Sequence, residues 1–150
     1  MTSLLSGPTS DVASRIIAGS ILPGLVRHVT QNMIDAYAEA SGDFNPIHVD
    51  LVYSRSGPFG RTVAHGLMTL AFVAHMLNDW SEGYFDVCGS VDVTFVGPVF
   101  VDDTVEISGR VEDVFDRDGT RCARIKVMCQ AGGRQILAGF AVQPIGNERS

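Results

Sequence analysis

The spacing of apolar residues divides this chain into two parts. Between residues 30 and 80, apolar side chains recur at three- and four-residue intervals or fill long runs, which is typical of helices. From Tyr84 onward they alternate with polar side chains, as in strands that have one covered face. The first part therefore predicts helices, and the second part predicts a sheet.

A short strand and two helices are predicted before residue 81. The strand is Leu25–Val29, which the preceding proline and glycine keep short. Thr30 fits the N-cap of a first helix that ends near Ser41 and Gly42, since glycine adopts the left-handed conformation that closes many helices. The second helix, Ala64–Trp80, is apolar on nearly every side, so we expect protein to surround it.

Four strands are predicted in the second part, and short turns join them. Asp118-Gly119 is a strong hairpin signal, because both residue types accept positive backbone φ angles. Short connections join antiparallel neighbours, since a parallel crossover needs about a dozen residues. The predicted strands are Ser90–Val96, Thr104–Phe115, Ala123–Met128 and Gln135–Gln143. A long helix followed by these strands predicts an α+β fold in which a curled sheet wraps a buried helix.

The chain is predicted to form one domain. A length of 150 residues suits a single core, and no repeat or linker divides residues 21–150. Residues 1–20 are rich in Ser, Thr, Gly and Ala without a clear period, so we expect a loose N-terminal arm. Residues 43–60 contain two prolines and two glycines, which predicts irregular chain with one helical turn near Asp50–Ser54.

Composition and charge narrow the class of protein. With 45% hydrophobic and 19% charged residues, the chain is typical of a globular protein. A net charge of −6 argues against nucleic-acid binding, because contacts to phosphates need a basic face. The longest apolar run, Gly66–Leu77, is too short to span a bilayer, so no membrane partner is expected.

The cysteines are predicted to be buried free thiols. An odd number at no metal-ligand spacing supports neither a disulfide framework nor a zinc site. Free thiols fit a reducing compartment, and we expect no secretion signal among the first residues. The three are Cys88, Cys122 and Cys129. A cytoplasmic protein is therefore predicted.

The stretch Ala40–Leu67 carries an unusual set of polar residues. Asp43, Asn45 and His48 fall within six residues, and Pro46 bends the chain between them. A carboxylate and an imidazole that share one water can act as general acid and general base. The same residues can instead cap and turn the chain after the helix, with His48 as a structural histidine. The residue pattern leaves both interpretations open.

Gly66 is predicted to stand where irregular chain turns into the second helix. Its backbone N–H would be unpaired at the positive end of the helix dipole, which suits a developing negative oxygen. A glycine at this point also permits close packing of the helix start against the sheet, without any ligand. Both uses fit the sequence.

No metal site is predicted. The oxygen-rich set around Asp43 superficially resembles a calcium loop, but His48 occupies the sixth position, where that loop needs glycine. His65 and His75 are ten residues apart, which is not the i, i+4 spacing of a helical zinc site.

Two segments together resemble the signature of a known family. Tyr37–Asp50 contains Gly-Asp-Phe-Asn-Pro-Ile-His, and Phe59–Leu67 contains Val-Ala-His-Gly-Leu. Both are similar to the MaoC-like, R-specific enoyl-CoA hydratases, the type-2 hydratases and dehydratases. The resemblance spans about residues 25–143, and its Gly-Asp-x-Asn-Pro-x-His core is highly specific. It implies the hot-dog fold, a long helix wrapped by antiparallel strands, which agrees with the fold predicted from periodicity.

The resemblance also implies a role for each matching residue. Asp43 and His48 match the catalytic pair that holds the water, and Asn45 matches the asparagine that supports the site. Gly66 matches the glycine whose N–H binds the thioester oxygen. We further expect three apolar side chains to shape the acyl pocket, namely Phe44, Leu67 and Met68.

The activity implied by the resemblance is syn hydration of a trans-2-enoyl thioester to the (R)-3-hydroxyacyl thioester. Coenzyme A or an acyl carrier protein would carry the acyl group, and the enzyme would be a lyase without a metal or organic cofactor. Hot-dog domains of this family pair side by side, so a homodimer or higher homo-oligomer is expected. Two alternatives stay open: a non-catalytic hot-dog subunit that completes a partner's site, and an acyl-CoA thioesterase.

Overall fold

The computed structural model describes residues 15–146, and its elements follow the order of the sequence pattern. The helices are α1 Gln31–Ser41, α2 Pro46–Val49, α3 Leu51–Arg55, α4 Gly66–Trp80 and α5 Phe85–Cys88. The strands are β1 Leu25–His28, β2 Ser90–Phe95, β3 Thr104–Arg117, β4 Thr120–Ala131 and β5 Arg134–Gly146. The predicted strands and long helices are therefore present, whereas the single turns α2 and α5 were not predicted.

Local signals set the ends of the helices. Thr30 caps α1 as predicted, because its hydroxyl accepts a hydrogen bond from the Met33 N–H at 3.2 Å. Gly42 closes the same helix with a φ of +76°, a conformation that glycine adopts without strain. Helix α4 begins at Gly66 rather than at Ala64, since His65 before it has an extended backbone with a ψ of 134°.

The five strands form one antiparallel sheet in the order β1-β3-β4-β5-β2. The predicted hairpin between β3 and β4 turns at Asp118 and Gly119, whose φ angles are +51° and +79°. Strand β2 pairs with β5, so the chain after β2 crosses the sheet before it enters β3. The sheet edges are consequently β1 and β2.

One face of α4 packs against the sheet. Met68, Val73 and Leu77 are at most 4% exposed and share one hydrophobic core with alternate residues of β3 and β4. Each such side chain contributes roughly 1.5–3 kcal/mol when it is fully buried. The predicted α+β architecture, a long helix against an antiparallel sheet, is confirmed.

The opposite face of α4 remains open. Leu67, Ala71, His75 and Asp79 are exposed and recur every four residues, so they form one stripe along the helix. Within one copy of the chain this stripe is uncovered, because the sheet covers one side of the helix only, so a single copy does not meet the expectation that protein surrounds the whole helix. Among residues 15–146, no helix combines the length and apolarity that crossing a bilayer requires.

The C-terminal end of the predicted N-terminal arm packs against the sheet. Ile16 is buried, and the Gly19 N–H donates to the Val111 carbonyl at 2.7 Å. Residues 15–20 are therefore held rather than loose, since Ile16 joins the hydrophobic core and the backbone of residues 19 and 20 hydrogen-bonds to Val111 of β3. Residues 1–14 of the predicted arm lie outside the described residues, and the domain boundary at residue 21 stays a prediction.

The cysteines differ in their exposure. Cys122 and Cys129 are buried free thiols, as predicted. Burial raises the pKa of Cys129 to about 12, so this thiol stays protonated at physiological pH. Cys88 is exposed because it ends α5, a single turn at the surface, and the prediction of burial is wrong for this residue.

Candidate active site

The loop after α1 is shaped by its own polar side chains. The Asp43 carboxylate accepts a hydrogen bond from the Asn45 N–H at 3.1 Å through Oδ1. Asn45 in turn caps α2, since its Oδ1 accepts from the Ile47 N–H at 3.2 Å. Pro46 occupies the first turn of α2, where its missing N–H costs nothing. The turning and capping roles that the sequence left open are thus present, and they bring His48 into the fold.

His48 is buried, and a backbone group fixes its tautomer. Its Nδ1 lies in hydrogen-bonding contact with the carbonyl oxygen of Val63. A carbonyl can only accept, so Nδ1 carries the proton in the neutral ring, and Nε2 keeps its lone pair. Nε2 lies 3.9 Å from Oδ2 of Asp43, the carboxylate oxygen that the loop leaves free. The structure therefore brings Asp43 and His48 together as one acid–base pair.

Two further polar residues hold the backbone around this pair. Gln31, the first residue of α1, donates through Nε2 to the His48 carbonyl at 2.9 Å. Its Oε1 accepts from the hydroxyl of the buried Thr62 at 2.6 Å. Gln31 thereby connects the turn that carries His48 with the strand-like segment that carries Val63. Neither Gln31 nor Thr62 was predicted, because their separation in sequence follows no helix or strand period.

His65 also belongs to the site, although the sequence did not predict it there. It is 3% exposed, and its ring stacks on that of His48 with centroids 3.8 Å apart. Its Nε2 lies 2.9 Å from the backbone oxygen of Asp43. The motif Val-Ala-His-Gly-Leu contains this residue, but only the three-dimensional fold reveals that it touches the acid–base pair.

Gly66 is the first residue of α4, two residues after the predicted start, and it lies where irregular chain turns into the helix, as predicted. Its N–H has no hydrogen-bond acceptor among residues 15–146, and it points from the positive end of a 15-residue helix. A Cβ at this position would lie 3.5 Å from the ring of Phe95, an ordinary contact, so sterics alone do not require glycine. The unpaired N–H is suited to a partial negative charge.

The three predicted pocket residues lie in different surroundings. Phe44 and Leu67 are 53% and 59% exposed, beside Asp43 and Gly66 in the chain. Met68 is 4% exposed and belongs to the hydrophobic core under α4. The first two are accessible to an acyl chain, whereas Met68 contributes to the packing of the helix start.

A metal ligand set is poorly formed at this site. Donor atoms of Asp43, His48 and His65 all lie within 4.8 Å of one another. The two imidazoles are stacked with an angle of 25° between their planes, however, so their in-plane lone pairs run side by side and do not converge on one point. The arrangement favours acid–base chemistry over metal coordination.

Comparison with known proteins shows the family to which this chain belongs. Residues 16–131 match the family model described as "MaoC like domain". This chain belongs to the MaoC-like domain family. The 3-hydroxybutyryl-CoA dehydratase of Methylorubrum extorquens is 30% identical over 118 residues, which cover 79% of this chain and 74% of that protein. The (R)-specific enoyl-CoA hydratase of Aeromonas caviae is 29% identical over 111 residues, which cover 73% and 81%.

Solved structures share the fold of this MaoC-like chain. The unliganded R-hydratase PhaJ1 from Pseudomonas aeruginosa superposes with a TM-score of 0.78 at 19% identity, over 91% of this chain and 86% of that one. At such identity the likeness establishes the fold, which is the predicted hot-dog fold. The resemblance drawn from the two sequence segments is confirmed.

Proposed function

We propose that this MaoC-like protein is a hydratase of trans-2-enoyl thioesters that forms the (R)-3-hydroxyacyl product. The observation that carries this proposal is the pairing of His48 with Asp43. The lone pair of His48 Nε2 and the free oxygen of Asp43 face one space, and their separation is 3.9 Å. A water oxygen about 2.8 Å from both atoms would subtend roughly 90° between them, which suits a water that uses both of its protons.

In the proposed reaction, Asp43 and His48 hold one water beside C3 of the substrate. One of the two groups removes a proton while the water oxygen bonds to C3, and the C2–C3 π electrons move toward the thioester carbonyl. The Gly66 N–H stabilises the oxygen of this enolate-like species. The group that removed this proton then delivers it to C2, so both groups return to their starting state and the elements of one water are added across the double bond. Dehydration follows the same steps in reverse.

The acyl group is proposed to enter beside Phe44 and Leu67, whose side chains are exposed next to the site. The acyl group would be carried as a thioester of coenzyme A or of an acyl carrier protein, and the carrier would remain outside the acyl pocket. The M. extorquens relative is named for a four-carbon substrate, which makes crotonyl-CoA the first substrate to test. The proposed mechanism requires neither a metal nor an organic cofactor, and a cytoplasmic location remains the prediction from sequence.

We also propose that two copies of the chain pair through β2. This strand is a sheet edge, and Val91, Phe95 and the following Val96 are 36%, 45% and 54% exposed. An uncovered edge with apolar side chains invites another strand, and a second copy supplies one by symmetry. The ring of Phe95 also lies beside Gly66, so the pairing surface would adjoin the site. Sedimentation analysis is expected to give a dimer or a higher homo-oligomer.

Loss of the enoyl absorbance of crotonyl-CoA and its longer homologues tests the activity. The purified protein is expected to hydrate at least one of them, with (R)-3-hydroxyacyl-CoA found by chiral analysis. Activity that appears only after a second hot-dog chain is added would favour the non-catalytic subunit instead. Release of free thiol from saturated and unsaturated acyl-CoA alike would favour a thioesterase.

A further inference from the structure

The buried ring of His65 contacts both His48 and Asp43 but has no role in the proposed chemistry. It stacks on His48, and its Nε2 contacts the backbone oxygen of Asp43 at 2.9 Å. Its own carbonyl carbon is bonded to the nitrogen of Gly66, so its placement also sets the start of α4. Its ring centroid lies 4.9 Å from that of Tyr37, which packs beside it from α1.

The hydrogen bond to Asp43 fixes the tautomer of His65. A backbone oxygen only accepts, so Nε2 carries the proton in the neutral ring and Nδ1 carries the lone pair. This Nδ1 is buried and has no hydrogen-bond partner among the described residues. The neighbouring ring of His48 has the opposite tautomer, because its Nδ1 donates to Val63. The two carbonyl acceptors therefore give the two stacked neutral rings opposite tautomers.

Packing alone does not account for an imidazole at this position. A buried polar atom without a partner weakens folding, and a phenyl ring would fill the same space without that cost. The ring nitrogen that is used, Nε2, contacts the residue whose carboxylate faces His48. The imidazole is therefore explained by its hydrogen bond to the Asp43 loop, which a phenyl ring could not make.

We propose that His65 is a positioning residue for the hydration reaction, an inference that rests on the proposed function. Its N–H anchors the Asp43 backbone, so the free carboxylate oxygen stays in front of His48. Its face limits rotation of the His48 ring, whose other anchor is the Val63 carbonyl. The anchor on Asp43 has the larger effect, since the exposed Asp43 loop has fewer other restraints than His48. Displacement of a reacting group by about 1 Å can cost 10²-fold in rate.

Two variants of His65 distinguish the effect of its N–H donor from the effect of its aromatic ring. His65→Phe keeps an aromatic ring but removes the N–H, whereas His65→Gln keeps an N–H donor near the position of Nε2 but removes the ring. We expect kcat for crotonyl-CoA to fall at least about 30-fold in His65→Phe, with KM changed less than about threefold. His65→Gln is expected to recover kcat to within about fivefold of the wild type. The exposed His75 of α4 supplies the matched controls His75→Phe and His75→Gln, which should leave kcat unchanged.

Thermal unfolding and ring ¹⁵N spectra distinguish positioning from mere packing. His65→Phe is expected to unfold near the wild-type temperature while the His48 ring signals shift, and His75→Phe should leave those signals in place. Equal losses of kcat in both His65 variants, matched by lower unfolding temperatures, would overturn the proposal, as would a wild-type kcat in His65→Phe. An inactive wild type would instead contradict the proposed function. In that case unshifted His48 signals in His65→Phe would also overturn the positioning role.

Discussion

His48 with Asp43 and His75 with Asp79 are two histidine–carboxylate pairs in opposite surroundings. The nitrogen–oxygen distance is 3.9 Å in the first pair and 3.1 Å in the second. The histidine side chain is 11% exposed in the first pair and 51% exposed in the second. The closer pair lies on the exposed stripe of α4, and the more distant pair joins a buried imidazole to a carboxylate that is 54% exposed.

The two histidines also differ in which nitrogen remains available. His75 receives a contact from the Arg27 guanidinium at Nδ1, 3.3 Å away, and its Nε2 faces Asp79. Since arginine can only donate, both ring nitrogens of His75 are occupied. In His48 the proton is held by the Val63 carbonyl, and the lone pair on Nε2 is left open. The availability of a fixed lone pair, rather than a short distance, distinguishes the pair that we propose to be catalytic.

Removing either member of the His48–Asp43 pair is expected to have the largest effect. His48→Gln and Asp43→Asn should each lower kcat for enoyl-CoA hydration by at least about 10²-fold, because each removes one partner in proton transfer. His75→Gln and Asp79→Asn are the matched controls and should stay within about twofold, since an exposed pair contributes at most about 1 kcal/mol to folding. Circular dichroism checks that all four variants fold. Similar losses of kcat in the variants of both pairs would contradict the proposal that only His48 and Asp43 take part in the reaction.

A proline at the start of α4 tests the backbone N–H directly. Gly66→Pro removes the donor at a helix position that proline favours, and the extended backbone of His65 before it is compatible with a following proline. We expect kcat to fall by about 10²-fold, as for the loss of one oxyanion donor. Gly66→Ala adds a Cβ that makes an ordinary contact with Phe95 and keeps the N–H, so its kcat should lie well above that of the proline variant. Equal rates in the two variants would exclude the N–H from the reaction.

Loss of the backbone support around His48 should have an intermediate effect. Gln31→Ala removes the hydrogen bonds to the His48 carbonyl and to Thr62, together with an exposed one to Asp35. We expect about 1 kcal/mol of lost stability, seen as a lower urea midpoint, and a fall in kcat of less than tenfold. The exposed Gln135 gives the control Gln135→Ala. A loss of kcat in Gln135→Ala as large as that in Gln31→Ala would show that the hydrogen bonds of Gln31 do not specifically support His48.

The thiols should show the smallest functional effect, because they lie outside the site. Iodoacetamide at pH 8 is expected to modify Cys88 first, since Cys122 and Cys129 are buried and burial raises the pKa of both buried thiols. Mass spectrometry should find one adduct on the native protein, with kcat unchanged. Modification of Cys129 before Cys88 would show that the core opens more readily than its burial indicates.

Periodicity predicted most of the fold because its elements are local. The helix ends at Thr30 and Gly42 follow from side-chain capping and a left-handed glycine, and the strands follow from alternation. The pairing of β2 with β5 was not predictable in this way, since it depends on how distant segments meet. The open stripe on α4 was missed for the same reason, because the sequence does not state how much of a helix a sheet will cover.

In the candidate site too, local features were predictable from the sequence, whereas contacts between distant segments were not. Asp43 and His48 are five residues apart, so a bend at Pro46 allows them to meet, and the family resemblance implied that they form a pair. The backbone oxygen of Val63 has no signature in a sequence, since every residue has a carbonyl group. His65 is 17 residues beyond His48 and meets it only because the segment Val63–His65 returns alongside α2. Contacts between segments, rather than residue types, were the missing information.

Hydration of crotonyl-CoA in H₂¹⁸O tests the central claim most directly, because it reports where the oxygen of water goes. With Asp43 and His48 acting on a water at C3, the product should be (R)-3-hydroxybutyryl-CoA with ¹⁸O in its hydroxyl group and the thioester intact. Mass spectrometry with chiral separation reads the position of the label and the configuration together. Label found in a free carboxylate, together with released coenzyme A, would contradict the proposed function and indicate thioester hydrolysis at this site.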